Sequence, residues 1–337
     1  MTALSVIRSA MIPSTGPIED FDLVRLDGRP LLVCVDTVND VFLWDPSEDR
    51  WSRHRLDMPF PKDSGIDAIE VLAIGAVAHN GRIVVGGGAD HQPFAQWDLE
   101  SGAVRVFVDE SHAGLGRSLG MELDGRPMLV GGDSSTSPRV RVYDVERREL
   151  YAELCDHHFD GLGGLTSGML KDRPVLVSGS WDGSAAIWDL REKRSLVGFS
   201  RYAGGLQGVG LVSVGGRSHV VAAGRDEVVL GDPETGEWGE PLTWPDDIAE
   251  LIAKDEFDDF ITCMDAGLVD GRPLAVTGTG EGRLYVWDLE DGIVLGEPLA
   301  EHDGEVSALR LTEIDDRPAV ITAGRDGRLL MWSLDSV

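Results

Sequence analysis

Seven times along the chain an arginine follows a tight turn, and about fifteen residues later comes Trp-Asp or a worn form of it. The arginines are Arg29, Arg82, Arg126, Arg173, Arg217, Arg272 and Arg317, and their paired anchors are Trp44, Trp97, Tyr143, Trp188, Gly231, Trp287 and Trp332. Five pairs are 15 residues apart; the other two are 17 and 14 apart. A unit of roughly 40–50 residues repeated in this way specifies an array of like supersecondary pieces, not a chain built around one unique motif.

The best-preserved units are DRPVLVSGSWDGSAAIWDL (172–190), GRPLAVTGTGEGRLYVWDL (271–289) and DRPAVITAGRDGRLLMWSL (316–334). Each opens with a turn in which Pro presets its own φ. A short β-branched run follows, then a Gly/Asp turn, then a second run ending at the anchor. Runs of this length between such turns read as strands joined by hairpins. A further turn follows each anchor, and one more apolar run precedes each Arg turn, as in Val306 to Leu311. The count is four strands per unit.

From about residue 3 to residue 334 the chain resembles the WD-repeat family of β-propellers, in a bacterial-type form with DGRP-like turns. The resemblance implies an all-β fold: a seven-bladed propeller of four-stranded antiparallel blades in one domain, 1–337. It also implies a polar tetrad within a blade. His302, Thr322, Asp326 and Trp332 match that tetrad, and His158, Ser178, Asp182 and Trp188 match it at the same spacings. Such a buried chain needs a partner for every member. Other blades depart from it: Glu281 replaces the turn Asp, while Gly231 and Tyr143 replace the Trp. These are expected to rely more on packing. The run 3–11 has no other place in the register and is expected to complete the last blade and close the ring. Closure leaves only short, protected edges. Glycines such as Gly163, Gly164, Gly208 and Gly210 are read as relief of crowding near the axis; no βαβ unit follows to make GGLQGVG (204–210) a dinucleotide fingerprint.

Composition narrows the partners. The chain has 30 Lys+Arg against 59 Asp+Glu, a formal charge of −29. Nucleic-acid binders need a basic surface to displace counterions, so neither nucleic acid nor an anionic membrane is an expected partner. No apolar run reaches the ~18–20 residues of a membrane helix. No secretory leader is legible at the N-terminus. Three scattered cysteines, Cys34, Cys155 and Cys263, show no metal spacing and fit a reducing cytoplasm. No metal or other cofactor is expected, and a closed propeller is expected to be a monomer.

Function is sought where the repeat breaks. The usual gap from anchor to next Arg is 29–30 residues, but Trp44 to Arg82 spans 38 and Gly231 to Arg272 spans 41. The second insertion contains PDDIAELIAKDEFDDF (245–260), which begins as a helix should, with Pro before two acids. Ile248, Leu251 and Ile252 are expected to share a face. That face either packs on the rim or docks a partner. The first insertion, 58–70, carries Pro59 and Pro61. Two hairpins also differ: GDSSTSPR (132–139), with Arg139, and GADHQPF (88–94), with Asp90 and His91. By the resemblance, all four project from one face, and the residue before each turn Asp lines the channel mouth. Those residues are Trp181, Arg225 and Arg325.

Three functions are weighed. The first is a scaffold binding a protein or peptide through Trp181, Arg225, Arg325, His91 and Arg139; an exposed Trp beside Arg is typical of interface hot spots. Against it, Trp181 could pack on a neighbouring blade and the arginines could pair with the chain's own acids. The second is a lyase or hydrolase at the channel mouth, with His91, Asp90 and His112 as acid–base groups. His112 also lies near a tetrad-His position. The third is a module bound on its sides or bottom, where the seven turn arginines lie; their regularity favours hydrogen bonding within or between blades.

Overall fold

The computed structural model describes residues 5–14, 16–56, 71–89, 94–107, 114–200, 204–254, 256–314 and 317–334. These form seven four-stranded antiparallel sheets arranged as the blades of a ring. The inner strands are Ile18–Leu26, Val71–His79, Leu115–Leu123, Leu162–Leu170, Gly208–Val214, Ile261–Val269 and Val306–Ile314, for blades 1 to 7. The last blade takes its outer strand from the other end of the chain: Ser5–Met11 pairs with Arg328–Ser333, Val6 opposite Trp332 and Met11 opposite Arg328.

The Arg-to-anchor register has a physical cause. Each of the seven arginines opens the second strand of its blade, and the residue after the anchor ends the third strand. Antiparallel pairing therefore returns that residue to the arginine. In five blades an ion pair results: Arg29–Asp45 (3.6 Å), Arg82–Asp98 (3.4 Å), Arg126–Asp144 (2.8 Å), Arg173–Asp189 (3.3 Å) and Arg272–Asp288 (2.9 Å). The same carboxylates accept the N–H groups of the turn that follows, as Asp189 does from Arg191 and Glu192. The Glu192 N–H, the Arg191 N–H and the Arg173 guanidinium outweigh partial burial and hold the Asp189 carboxyl below its ordinary range. Arg29, Arg82 and Arg173 are about half-exposed, so their pairs are worth under about 1 kcal/mol each; the main work of all five is to brace the turn.

The hydrophobic core lies between blades. One cluster joins Val33, Val35 and Val41 of blade 1 to Ile74, Val85 and Trp97 of blade 2; another joins Leu329 and Met331 of blade 7 to Phe21, Phe42 and Trp44 of blade 1. Where an anchor is worn, aromatic packing replaces it. At Gly231 an added Cβ would lie 2.5 Å from the Phe199 ring and 2.8 Å from Trp238, so Trp238 of the outer strand fills the missing anchor's place. Tyr143 stacks on Phe94 at 4.4 Å and meets Phe107 at 4.3 Å.

Toward the axis, inner-strand carboxylates pin one blade to the next. Asp20 accepts the Ile74 N–H at 3.0 Å, and Asp265 accepts that of Leu311 at 2.9 Å. One oxygen of Asp22 accepts from Ala76 at 2.8 Å and from Gly120 at 3.0 Å, joining blades 1, 2 and 3. Backbones come close here: a Cβ on Gly120 would lie 1.9 Å from the Ala76 carbonyl oxygen, so no other residue fits.

The insertion before blade 6 forms a helix over Asp246–Ala253, with Pro245 at its N-cap. It is shorter than the segment 245–260, and residues 256–260 run on without helix to the inner strand. The expected shared face is corrected too. Ile248 is buried and Ile252 packs beside it, but Leu251 is 40% exposed. Ile248 and Ile252 lie in one i, i+4 row, whereas Leu251 is about 100° from Ile252 around the axis. The insertion at 58–70 lies outside the described residues.

Candidate binding mouth

The two tetrad blades differ. In blade 7, Trp332 Nε1 donates to Thr322 Oγ1 (3.0 Å), which lies 2.8 Å from His302 Nε2, and His302 Nδ1 is 3.1 Å from Asp326. In blade 4, Trp188 Nε1 donates to Ser178 Oγ (2.8 Å), which lies 2.7 Å from His158 Nε2. His158 Nδ1, however, meets Ser184 Oγ at 2.7 Å, and Ser184 donates to Asp182 at 2.5 Å. Ser184 is thus an additional link that the four-residue pattern omits. Blade 6 uses different groups: Asp259 accepts from the Glu281 N–H at 2.9 Å and from Arg283 at 2.6 Å, while Trp287 donates to Thr277.

The His158 pKa is lowered to about 4, chiefly by burial and then by neighbouring His157, with Asp182 opposing. This gives a pH prediction. The unfolded chain protonates this residue near 6.5, before the folded protein does, so His158 destabilises the fold as pH falls from about 6.5 to about 4. Asp22 acts oppositely: burial pushes its carboxyl up to about 6, so the folded form takes the proton first and gains stability on acidification. A His158→Gln protein keeps only the second effect. Relative to the unsubstituted protein, its unfolding free energy is expected to rise by about 3 kcal/mol between pH 7 and pH 4 in urea titrations. A pH-independent difference would contradict the assignment.

The mouth itself is built by a repeated bond. The residue after the second strand donates its N–H to a carbonyl 20 positions earlier, in the loop entering the inner strand. This holds for Thr37 to Pro17, Ser134 to Gly114, Trp181 to Gly161, Gly280 to Phe260 and Arg325 to Glu305. The bond fastens each hairpin over its own blade and sets that residue at the ring's opening. Trp181 and Arg325, so placed, line one depression of about 740 Å3 together with Arg225, whose carbonyl instead accepts the Ile261 N–H at 2.8 Å; Glu19, Leu115, Arg117, Ser134, Gln207, Phe260 and Glu305 also contribute. Below it, the throat between the inner strands narrows to about 60 Å3, where Asp20, Arg117 and Arg310 meet. That is room for a few waters. Burial penalises the Arg310 charge, but Asp20, Asp22 and Asp265 outweigh it and raise its pKa.

Each mouth residue has distinct surroundings. Trp181 is 39% exposed and seats its ring on Gly161 and Gly163, where any Cβ would lie within 2.9 Å of it. Arg325 pairs with Glu305 (3.1 Å) and Glu19 (3.3 Å). The Arg225 guanidinium lies over the Phe260 ring, 3.3 Å from its centroid. Arg117 donates Nε to the Gly163 carbonyl at 2.8 Å and Nη1 to that of Gly116 at 3.1 Å. Phe159, in the entering loop of blade 4, is 65% exposed.

Arg139 does not reach the mouth. It pairs with Glu153 at 3.2 Å, in a network on the outer strands of blade 3 that includes the Asp133–Arg141 pair at 2.7 Å. The longer hairpin carries Arg139 outward along the blade, not toward the axis. Asp90, His91 and His112 lie outside the described residues. Phe260 and Arg117 were missed because neither occupies the repeated position before a turn Asp. The one signal for Phe260 was the insertion that ends on it.

The family described as WD domain, G-beta repeat, matches residues 153–189. The matched segment holds His158, Ser178, Asp182 and Trp188. Together with the seven-bladed ring, the match supports a WD-repeat propeller. A propeller of this kind is generally a protein-interaction scaffold. Among the described residues, no helix is long and apolar enough to cross a membrane, and no group of three or more His, Cys, Asp or Glu side chains is placed to hold a metal ion.

Proposed function

We propose that this WD-repeat propeller is a non-catalytic scaffold that presents its mouth-bearing face to a protein or peptide. The observation that carries this reading is the 740 Å3 depression lined by Trp181, Arg225, Arg325 and Phe260, closed beneath by the narrow throat. Such a site accepts a protruding side chain or loop. Exposed Trp and Arg around a concave centre supply the contacts that dominate protein interfaces. The charge of −29 favours a protein over a nucleic acid. The closed ring and three free cysteines, two of them buried, fit a monomer in a reducing cytoplasm.

The test is affinity capture from the native host, comparing the unsubstituted protein with a Trp181→Ala, Arg225→Glu, Arg325→Ala variant. All three residues are surface-accessible, so the melting temperature is expected to hold within a few degrees. Partner affinity is expected to fall more than about 100-fold, as for loss of two or three hot-spot residues. An unchanged set of captured proteins would refute the assignment to this face.

A further inference from the structure

The mouth is chemically divided, and the division specifies what it reads. On the side of blades 7 and 1, Arg325 is held by Glu305 and Glu19, so charge there is already matched by the protein. On the side of blades 3 to 6, two guanidinia, Arg117 and Arg225, stand with two aromatic rings, Trp181 and Phe260. Among the described residues, no carboxylate lies within ion-pair distance of Arg225. Its stacking on Phe260 covers one face of the guanidinium. The N–H donors lie in the guanidinium plane, so stacking leaves them free and restricts their orientation. Arg117 is fixed by two carbonyls and has further donors beyond those bonds.

Resting on the scaffold reading above, we infer that this half-mouth binds a peptide segment through one Asp or Glu side chain, with a neighbouring apolar side chain laid against Trp181. The carboxylate accepts from Arg225 in the plane of its guanidinium, and Arg117, which shares the throat with Asp20, stands beneath it with N–H donors left over. A carboxylate matches the planar fork of an arginine in size and geometry. The overall negative charge limits the segment further. Its field is screened beyond about 8 Å at physiological salt, so a single acid at the mouth is tolerated. A tract of acids would extend over the acidic surface and be repelled. The recognised segment is therefore one or two acids among apolar and neutral residues.

The inference is tested by panning a random dodecapeptide display library on the full-length protein. Recovered peptides are then measured by fluorescence anisotropy against the unsubstituted protein, Trp181→Ala, Arg225→Glu and Arg225→Lys. The expected consensus has one acid beside Trp, Phe or Leu. Affinity is expected to fall at least about tenfold in Arg225→Glu and in the peptide whose acid is changed to Gln, with little further loss when both changes are combined. Partial retention by Arg225→Lys and recovery of Arg225→Glu by a peptide with Lys in place of its acid would support it further. Binding that needs Trp181 but ignores Arg225→Glu and the Gln peptide would overturn the carboxylate and leave the mouth as the binding face. Binders dependent on a free terminal carboxylate would overturn the side-chain assignment. Binders indifferent to both Trp181→Ala and Arg225→Glu, or no mouth-dependent binder at all, would count against the face as well.

Discussion

A protein lacking residues 1–12 is expected to lose on the order of 3–5 kcal/mol of stability in urea titrations and to associate at micromolar concentration. The outer strand Ser5–Met11 is itself mostly exposed, and its contribution lies in what it covers. It pairs along Arg328–Ser333, lies opposite the buried anchor Trp332, and brings Ala10 and Ile12 into the cluster between blades 7 and 1. Ile12 also donates its N–H to Gly327. Without this strand the third strand of blade 7 becomes an unpaired edge with apolar flanks, which is a template for another chain. The shortened protein is expected to elute as larger oligomers and to return to the elution position of the unshortened protein when a peptide of residues 1–12 is supplied. If its elution and its unfolding were both unchanged, the strand would not close the ring.

Trp188→Ala is expected to cost about 4–5 kcal/mol, near the upper end for loss of a buried aromatic side chain. Trp188 is 2% exposed, packs with Leu176, Ala186 and Leu190, and donates to Ser178 at 2.8 Å. Removing it leaves a cavity and breaks the chain of bonds through Ser178 to His158, Ser184 and Asp182. Trp188→Phe retains most of the volume and loses the N–H with a smaller part of the packing, so about 1–2 kcal/mol is expected. The ratio of the two separates packing from hydrogen bonding. A cost below about 2 kcal/mol for Trp188→Ala would show that the blade does not depend on its anchor.

Most of the frame was legible because it is local. The Arg turn, the two short runs and the Trp-Asp recur within about twenty residues, and one hairpin register explains both the spacing and the Arg–Asp pairs. Relations that exist only once the ring forms were not legible. Asp22 meets Gly120, 98 positions away, because three inner strands converge at the axis. Trp238 fills the place left by Gly231 from the neighbouring strand, which the anchor position alone does not reveal. Asp259 takes a bracing role in blade 6 from within an insertion, where a repeat pattern has no position to compare.

The mouth divides in the same way. Trp181, Arg225 and Arg325 were found because each precedes a turn in a repeated hairpin; the recurrent bond across 20 positions places Trp181 and Arg325 at the opening, and Arg225 is tied there through its carbonyl to the Ile261 N–H. Their differences were not legible. Arg325 is engaged by acids of two blades, whereas Arg225 lies on Phe260, a residue brought there by the path of the insertion. The altered hairpin at 132–139 drew attention to Arg139 by its length, but length alone does not tell inward from outward, and its arginine pairs with Glu153 on the blade's outer strand.

The most direct test of the mouth as the binding face is hydrogen exchange on the complex with a captured partner. Protection is predicted in the mouth-lining segments around Gly116–Arg117, Trp181, Gln207, Arg225, Phe260–Thr262 and Arg325, with the outer strands and the Arg–Asp turns exchanging as in the free protein. Protection confined to the outer strands or to those turns, with the mouth unchanged, would contradict it.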